Sequence, residues 1–257
     1  MNEFIVFIIG IAIGSFLNVV IYRTEKEISI INPPSFCPKC GKKIEWYDNI
    51  PIISYIILGG KCRNCFSKID IQYPIVEFIS GILTLLFYLK WKDNILWFFS
   101  SALILYLLII ISVVDFKTMM LSDLFSYILS FIGIISSYLN PIFEGNIYQR
   151  IKQSITGIIT GAGIIYFLMF IGKKIYKKDA VGEGDIFLMG AIGSFVGPKG
   201  IIDVLIISSL LGSLYGISLI LFKKLNRSSY IPFGPFLALS SLIKIYTNIS
   251  LINLFYL

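Results

Sequence analysis

The sequence predicts an all-α membrane protein, a polytopic bundle of about eight transmembrane helices. Of the 257 residues, 56% are hydrophobic and only 14% are charged. The mean hydropathy is +0.84, and a chain with so few polar residues lacks the polar surface that a water-soluble domain needs. Apolar runs recur along the chain, and a run of about 20 apolar residues crosses a bilayer as one helix.

The apolar runs can be taken in order. Residues 4–22 are long enough to span and lack the small-residue cleavage site of a secretory signal, which predicts a retained helix. The Gly197-Pro198-Lys199-Gly200 stretch predicts a tight turn between two later runs. The runs 186–196 and 233–243 are short for complete spans, so these segments are expected to be tilted or to end in irregular structure. After the polar residues 23–73, the runs are 74–89, 95–114, 124–139, 151–172, 186–196, 201–222 and 233–243.

Basic residues between the runs predict the orientation. When eight spans are counted, the connections richest in lysine and arginine fall on the same side as residues 23–73, which are therefore predicted to be cytoplasmic, with both termini outside. The net charge is +7, and the basic residues between the spans are expected to set the topology and to contact anionic membrane lipids. Nucleic-acid binding is not expected. The basic residues of these connections are Lys173, Lys174, Lys177, Lys178, Lys223, Lys224 and Arg227.

The polar stretch 23–73 contains all four cysteines of the chain, arranged as two Cys-x-x-Cys pairs. Cys37 pairs with Cys40, and Cys62 with Cys65, a spacing typical of a structural zinc site. Disulfides or free thiols are the alternatives, and a reducing cytoplasm together with the strain of bridging such close pairs weighs against disulfides. Because the chain has no histidine, all ligands would be thiolates, and a closed four-thiolate site would be structural.

Two aspartates stand at the ends of apolar runs. Asp115 closes one run, and Asp185 opens another directly after Gly182 and Gly184. A carboxylate that enters a membrane segment is costly, so each is a functional candidate, and both are predicted at the cytoplasmic edge, in one active site. Without histidine, a Ser-His or Cys-His nucleophile is excluded. Two carboxyl groups can instead activate a water, one taking a proton and the other donating one.

Other roles are open for these acids. Taken alone, Gly-x-Gly-Asp is more commonly a helix start with Asp185 in the cap, although its glycines would also let a substrate backbone approach closely. For Asp123 we favour N-capping of the following helix, assisted by Ser122, over a catalytic role. Glu183 and Asp179 lie beside a lysine-rich connection and are expected to be solvated.

These motifs together resemble the bacterial type IV prepilin peptidases, membrane aspartyl proteases of the Gly-x-Gly-Asp type. The resemblance covers nearly the whole chain. The family pattern has a proline where Ser122 stands and a lysine where Phe187 stands, a departure that concerns substrate preference and spares both aspartates. The matching segments are residues 14–23, the two cysteine pairs, residues 48–55 and 73–77, Asp115 with Asp123, residues 182–185 and residues 231–236.

The resemblance implies a protease that cuts the leader from type IV prepilins or type II secretion pseudopilins at the cytoplasmic face of the bacterial inner membrane. Asp115 and Asp185 would be the catalytic pair. Gly182, Gly184 and Asp123 would support them. The chain would then divide into a first transmembrane helix (1–22), a cytoplasmic zinc-binding loop domain (23–73) and a transmembrane peptidase domain (74–257).

The resemblance also implies a second activity, methylation of the new N-terminal amine with S-adenosylmethionine as donor. No glycine-rich nucleotide loop reveals where the donor binds, and we expect its site near the cysteine loop and Glu77. Two rival functions are a polytopic ion or metal transporter with a cytoplasmic zinc site, and a non-enzymatic subunit of a pilus or secretion platform. A transporter would show acids near mid-membrane and an internal repeat, whereas these acids stand at the ends of runs.

Overall fold

The computed structural model describes residues 2–176, 182–223, 230–248 and 250, and within these ranges the chain is helical, with two isolated β-bridges and no β-strand. This confirms the predicted all-α class. A short 3₁₀ helix, Trp46–Asn49, precedes α2. The α-helices are α1 (Glu3–Glu25), α2 (Ile53–Ile57), α3 (Gln72–Trp91), α4 (Ile95–Thr118), α5 (Asp123–Ser136), α6 (Ile147–Tyr176), α7 (Glu183–Leu221) and α8 (Gly234–Thr247).

Five of the described helices, α1, α3, α4, α6 and α7, are long and apolar enough to cross a membrane, so the chain is a multi-pass membrane protein. Helix α7 has 39 residues and would be about 58 Å long if straight, roughly twice the hydrocarbon thickness of a bilayer. It is broken at Gly197, where φ is 72° and ψ is 174°, and Pro198 follows directly. With α7 counted as two segments, the predicted number of about eight is roughly matched.

The break in α7 lies within the predicted turn at residues 197–200. Gly197 takes a left-handed φ that other residues adopt only with strain, and a Cβ there would stand 2.9 Å from the Phe143 ring. The side chain of Asn140 donates from Nδ2 to the carbonyl of Phe195, 2.7 Å away. Pro198 has no N–H to donate to the carbonyl of Ser194, and the hydroxyl of Ser154 donates to that carbonyl instead, at 2.7 Å.

The chain forms two compact units, Met1–Asp93 and Asn94–Leu257. In the first unit, α1 packs on α3. A Cβ added at Gly14 would stand 2.8 Å from the Cα of Glu77, and one added at Gly10 would stand 2.9 Å from the Cα of Gly81. Small residues therefore bring the two backbones together, as is common between membrane helices. The predicted division at residues 22 and 73 stays a prediction.

In the second unit, α7 packs against α5, α6 and α8, and α4 packs against α5 and α8. Helices α6 and α7 approach closely at Gly157 and Gly193, where a side chain on either glycine would overlap the other's carbonyl group. The first segment of α7 is the core of this unit, since Leu188, Ala191 and Phe195 are fully buried. The first turn of α7, which contains Asp185, is therefore positioned by the helices that pack around α7.

Candidate active site

Asp115 lies near the end of α4, where the predicted apolar run stops, and only 4% of the residue is exposed. Its Oδ2 accepts a hydrogen bond from the backbone N–H of Gly234, the first residue of α8, at 3.0 Å. The two residues are 119 positions apart in the chain. The carboxyl group of α4 is therefore oriented by the first turn of α8, a helix end whose free N–H groups favour a negative charge.

Asp185 lies in the first turn of α7 and is 6% exposed. Its Oδ2 accepts from the N–H of Gly182 at 3.1 Å, and its own N–H donates to the Gly182 carbonyl at 3.1 Å. The helix-start role that the sequence left open for Asp185 is present, but at the third helical position, with Gly182 as the cap. The carboxyl oxygen that takes part in this capping is Oδ2, and Oδ1 is not used by it.

The two aspartates stand at helix ends that meet the same side chain, Leu121. Leu121 lies in the connection between α4 and α5 and contacts the first turns of α7 and α8. A Cβ at Gly184 of α7 would stand 2.6 Å from the Leu121 Cβ, and a Cβ at Gly234 of α8 would stand 3.1 Å from the Leu121 Cδ2. Glycine at positions 184 and 234 thus allows the ends of α4, α7 and α8 to converge.

Sequence reasoning missed Gly234 and Leu121 as parts of this site. The signal available for Gly234 was its place in the segment 231–236, which the resemblance had already singled out. A Cβ at Gly234 would lie 2.6 Å from Oδ2 of Asp115, so a side chain there would displace the carboxyl group. No local pattern marked Leu121, whose role depends on contacts with residues far along the chain.

The remaining acids have simpler positions. Asp123 is the first helical residue of α5 and is exposed, while Ser122 holds the N-cap position without a side-chain hydrogen bond. The expectation that Asp123 caps this helix is wrong, because the helix begins one residue earlier than the apolar run indicated. Glu183 is exposed, and Asp179 lies outside the described residues. The supporting role of Asp123 stays a prediction.

The four cysteine thiols converge. Their Sγ atoms all lie within 4.8 Å of one another, and those of Cys37 and Cys65 are 3.8 Å apart. Four ligands about 2.3 Å from a tetrahedral ion stand about 3.8 Å apart, so the donor set fits a metal such as zinc in both chemistry and spacing. The Cys37 and Cys65 thiols also approach the hydroxyl of Ser67, and its hydrogen bond with Cys65 lowers the pKa of that thiol to about 6, which favours the metal-binding thiolate.

The two cysteine pairs have the same backbone geometry. The N–H of Cys37 donates to the carbonyl of Lys42, and the N–H of Cys62 donates to that of Ser67, both at 2.9 Å. Four residues after the first cysteine of each pair, Gly41 and Phe66 both have a positive φ, of 70° and 57°. The two turns are therefore structural repeats that present their thiols in the same way, which the spacing alone had only implied.

An ion pair between Arg63 and Asp48 stabilises the loop that contains the cysteines. The Arg63 guanidinium donates to both carboxylate oxygens of Asp48, with Nη2–Oδ1 at 2.7 Å and Nε–Oδ2 at 2.8 Å. These bonds hold the pKa of Asp48 below its usual range. Because a bidentate pair fixes orientation as well as distance, Arg63 ties the second cysteine turn to the 3₁₀ helix that contains Asp48.

Glu77 is a buried acid of the first unit, 6% exposed, and it lies on the face of α3 that packs on α1. Its Oε2 accepts from the N–H of Ile52 at 2.8 Å. Ile52 has a φ of 60°, which is strained for a β-branched residue. Glu77 therefore anchors the loop to the α1–α3 pair at a point where the backbone takes an unfavourable conformation.

Comparisons with known proteins agree with this arrangement. A model of the bacterial peptidase A24 N-terminal domain matches residues 8–91, which contain the cysteine pairs, and the type IV leader peptidase family model matches residues 102–217, which contain both aspartates. No solved structure matches the chain.

Curated relatives match over most of their length. A "Type 4 prepilin-like proteins leader peptide-processing enzyme" of Escherichia coli O78:H11 is 32% identical over 92% of this chain and 91% of the relative. A "Prepilin leader peptidase/N-methyltransferase" of Vibrio cholerae serotype O1 is 33% identical over 93% and 94%, and one of Xanthomonas campestris is 30% identical over 95% and 91%. The chain belongs to the type IV leader peptidase family.

Proposed function

We propose that this chain is a prepilin leader peptidase that uses Asp115 and Asp185 as an aspartyl pair. The observation that supports it most is the convergence of two buried carboxyl groups from α4 and α7, each bonded to the N–H of a glycine at a helix start. Several relatives are named prepilin leader peptidases. These names and the placement of both acids at helix ends leave the transporter alternative without support.

The reaction follows from the chemistry of the pair. One ionised carboxylate takes a proton from a water, whose oxygen attacks the carbonyl carbon of the scissile peptide bond. The other carboxyl group, protonated at that stage, donates to the departing amine as the C–N bond breaks. The N–H groups of Gly182 and Gly234 orient the two carboxyl groups, and because backbone amides do not titrate, these donors stay available at any pH.

We place the enzyme in the cytoplasmic membrane, with the active site on the cytoplasmic side and membrane lipids around its helices. The lysine-rich connections support this orientation. The substrates are prepilins or pseudopilins, whose short basic leader would be cut while the following apolar helix stays in the bilayer.

Cleavage can be tested with the purified full chain in lipid vesicles and a full-length prepilin. We expect a product shortened by the leader, identified by mass spectrometry of both fragments. The matched control is the same prepilin lacking its leader, which should remain unchanged in length. A preparation that is folded and leaves the intact prepilin uncut would contradict the proposal.

We also propose that Cys37, Cys40, Cys62 and Cys65 hold a structural zinc ion. Replacing one ligand leaves a three-thiolate site, so Cys37→Ser is expected to lose most of the bound zinc. Metal analysis of the purified protein measures this, with Asp93→Asn, a change at an exposed position, as control. A full zinc content in Cys37→Ser would rule out the four-thiolate site.

The names of several relatives include N-methyltransferase, and we propose the same second activity here, with S-adenosylmethionine as co-substrate. The nitrogen of the new N-terminus attacks the methyl carbon, the C–S bond breaks to leave a neutral thioether, and the amine releases a proton. We place this reaction near the cysteine loop and Glu77. A buried carboxylate beside that loop could orient the amine or receive its proton.

Glu77→Gln separates this role from cleavage. Glutamine keeps an oxygen that can accept from the Ile52 N–H, so the loop should stay anchored while the charge is lost. We expect the methylated fraction of the product to fall by about tenfold or more, with cleavage close to the wild-type rate. Mass spectrometry of the mature N-terminus measures both. Unchanged methylation would remove Glu77 from the reaction, and equal loss of both activities would assign it to the fold.

A further inference from the structure

A buried ion pair lies in the second unit, away from the aspartate site. The Nζ of Lys244, near the end of α8, is 2.7 Å from Oδ2 of Asp203 in the second segment of α7. The side chains are 6% and 0% exposed. Charged groups within membrane segments are costly and are retained where they pair and serve a function. The peptide-hydrolysis scheme above uses neither residue.

The pair and the active site hold opposite ends of the same helix. Gly234 begins α8 and donates to Asp115, and Lys244 follows ten residues later, about 15 Å along the helix axis. Helix α8 is therefore tied to α4 at its first residue and to α7 near its last turn. A shift of α8 by one helical turn, about 5.4 Å, would separate Gly234 from Asp115.

Between these two points, α8 is buried through apolar side chains and two serines. Leu237 and Ala238 are buried apolar residues, and apolar burial is non-directional. The hydroxyls of Ser240 and Ser241 are buried as well, but they donate to carbonyl groups of α8 itself, at 3.0 and 2.8 Å. The Lys244–Asp203 ion pair instead joins α8 to a specific atom of α7.

We propose that Asp203 and Lys244 are positioning residues for the peptidase reaction: their ion pair fixes the axial position of α8 and thereby keeps the Gly234 N–H on Asp115. The inference rests on the proposed function. It predicts that loss of the pair misplaces a carboxyl group without removing it, which lowers kcat while KM stays close to the wild-type value.

Three variants of the full chain in lipid vesicles test this with a prepilin substrate. Asp203→Asn removes one charge with little change in shape. The double variant Asp203→Leu with Lys244→Met replaces the pair by apolar groups, a change that buried ion pairs often tolerate without loss of stability. The reversed pair, Asp203→Lys with Lys244→Asp, restores attraction. The control is Ser241→Ala, which removes a buried hydroxyl of α8 that bonds within its own helix.

We expect kcat to fall by about a hundredfold in Asp203→Asn and in the apolar pair, with a displaced pH profile, and to recover substantially in the reversed pair. Ser241→Ala should match the wild type. Thermal melts in the same vesicles identify which variants fold. Wild-type kcat and pH profile in a folded apolar pair, or a folded reversed pair without recovery, would overturn the inference.

The proposed function has its own separate outcome. If Asp115→Asn still cleaves at the wild-type rate, the proposed aspartyl pair fails whatever the ion-pair variants do. If Asp115→Asn is inactive and the folded apolar pair is fully active, only the positioning role of Asp203 and Lys244 fails.

Discussion

Asparagine at position 115 or at position 185 is expected to reduce leader cleavage by about a thousandfold or more. Asparagine has the size of aspartate and retains an oxygen that can accept the N–H of Gly234 or Gly182, so each substitution should preserve the local structure. It cannot take a proton from water or donate one as an acid. The measurement is the initial rate of prepilin cleavage by equal amounts of folded protein in lipid vesicles.

The controls for this prediction are other aspartates. Asp93→Asn changes an exposed residue and should leave the rate unchanged. Asp123→Asn is the more informative comparison, because Asp123 is exposed at the start of α5, and we expect it to retain most of the activity. A loss in Asp123→Asn equal to that in Asp185→Asn would show that catalysis needs Asp123 as well as Asp185. Cleavage at the wild-type rate by both Asp115→Asn and Asp185→Asn would end the aspartyl mechanism.

Gly234→Ala is expected to lower the cleavage rate by about a hundredfold. The added methyl group would stand 2.6 Å from Oδ2 of Asp115 and 3.1 Å from Cδ2 of Leu121. Both are shorter than a van der Waals contact, so the carboxyl group or the start of α8 must move. Substrate binding depends on a larger surface, and the loss should therefore appear in kcat more than in KM.

The chain offers a matched control for this glycine. Gly163 lies in α6, and a Cβ there would meet nothing within 4 Å. Gly163→Ala should be fully active and slightly more stable, because alanine is favoured over glycine in a helix by up to about 1 kcal/mol. Parallel steady-state kinetics and thermal melts compare the two variants. Equal activity of Gly234→Ala and Gly163→Ala would show that the close approach of Gly234 to Asp115 does not matter for catalysis.

Local sequence patterns were sufficient for several features. The apolar runs predicted a helical membrane protein, since helix length in a bilayer follows from composition alone. Two Cys-x-x-Cys pairs predicted convergent thiols, and Gly197 with Pro198 predicted a break in α7. Helix boundaries differed by a few residues, as at α4, which continues to Thr118 beyond the predicted end at residue 114. An apolar run ends at the first charged residue, whereas the backbone hydrogen bonds of the helix continue past that residue.

Asp203 shows where the sequence held a signal that was not used. It is an acid inside the apolar run 201–222, and such a residue calls for a buried partner. The partner, Lys244, lies 41 residues away at the end of another helix. An acid in an apolar run indicates that a basic partner is needed, but the sequence does not indicate which basic residue that partner is.

The sequence by itself determined the fold class, the two acids and the four thiols, because apolar periodicity, charge at a membrane boundary and cysteine spacing are local properties. Only the tertiary structure decided that Gly234 binds Asp115, that Leu121 lies between two helix starts, and that Glu77 holds Ile52. Each of these contacts joins residues that are distant in the chain or lie in separate elements. Their geometry depends on how whole helices pack, and no short stretch of sequence encodes that packing.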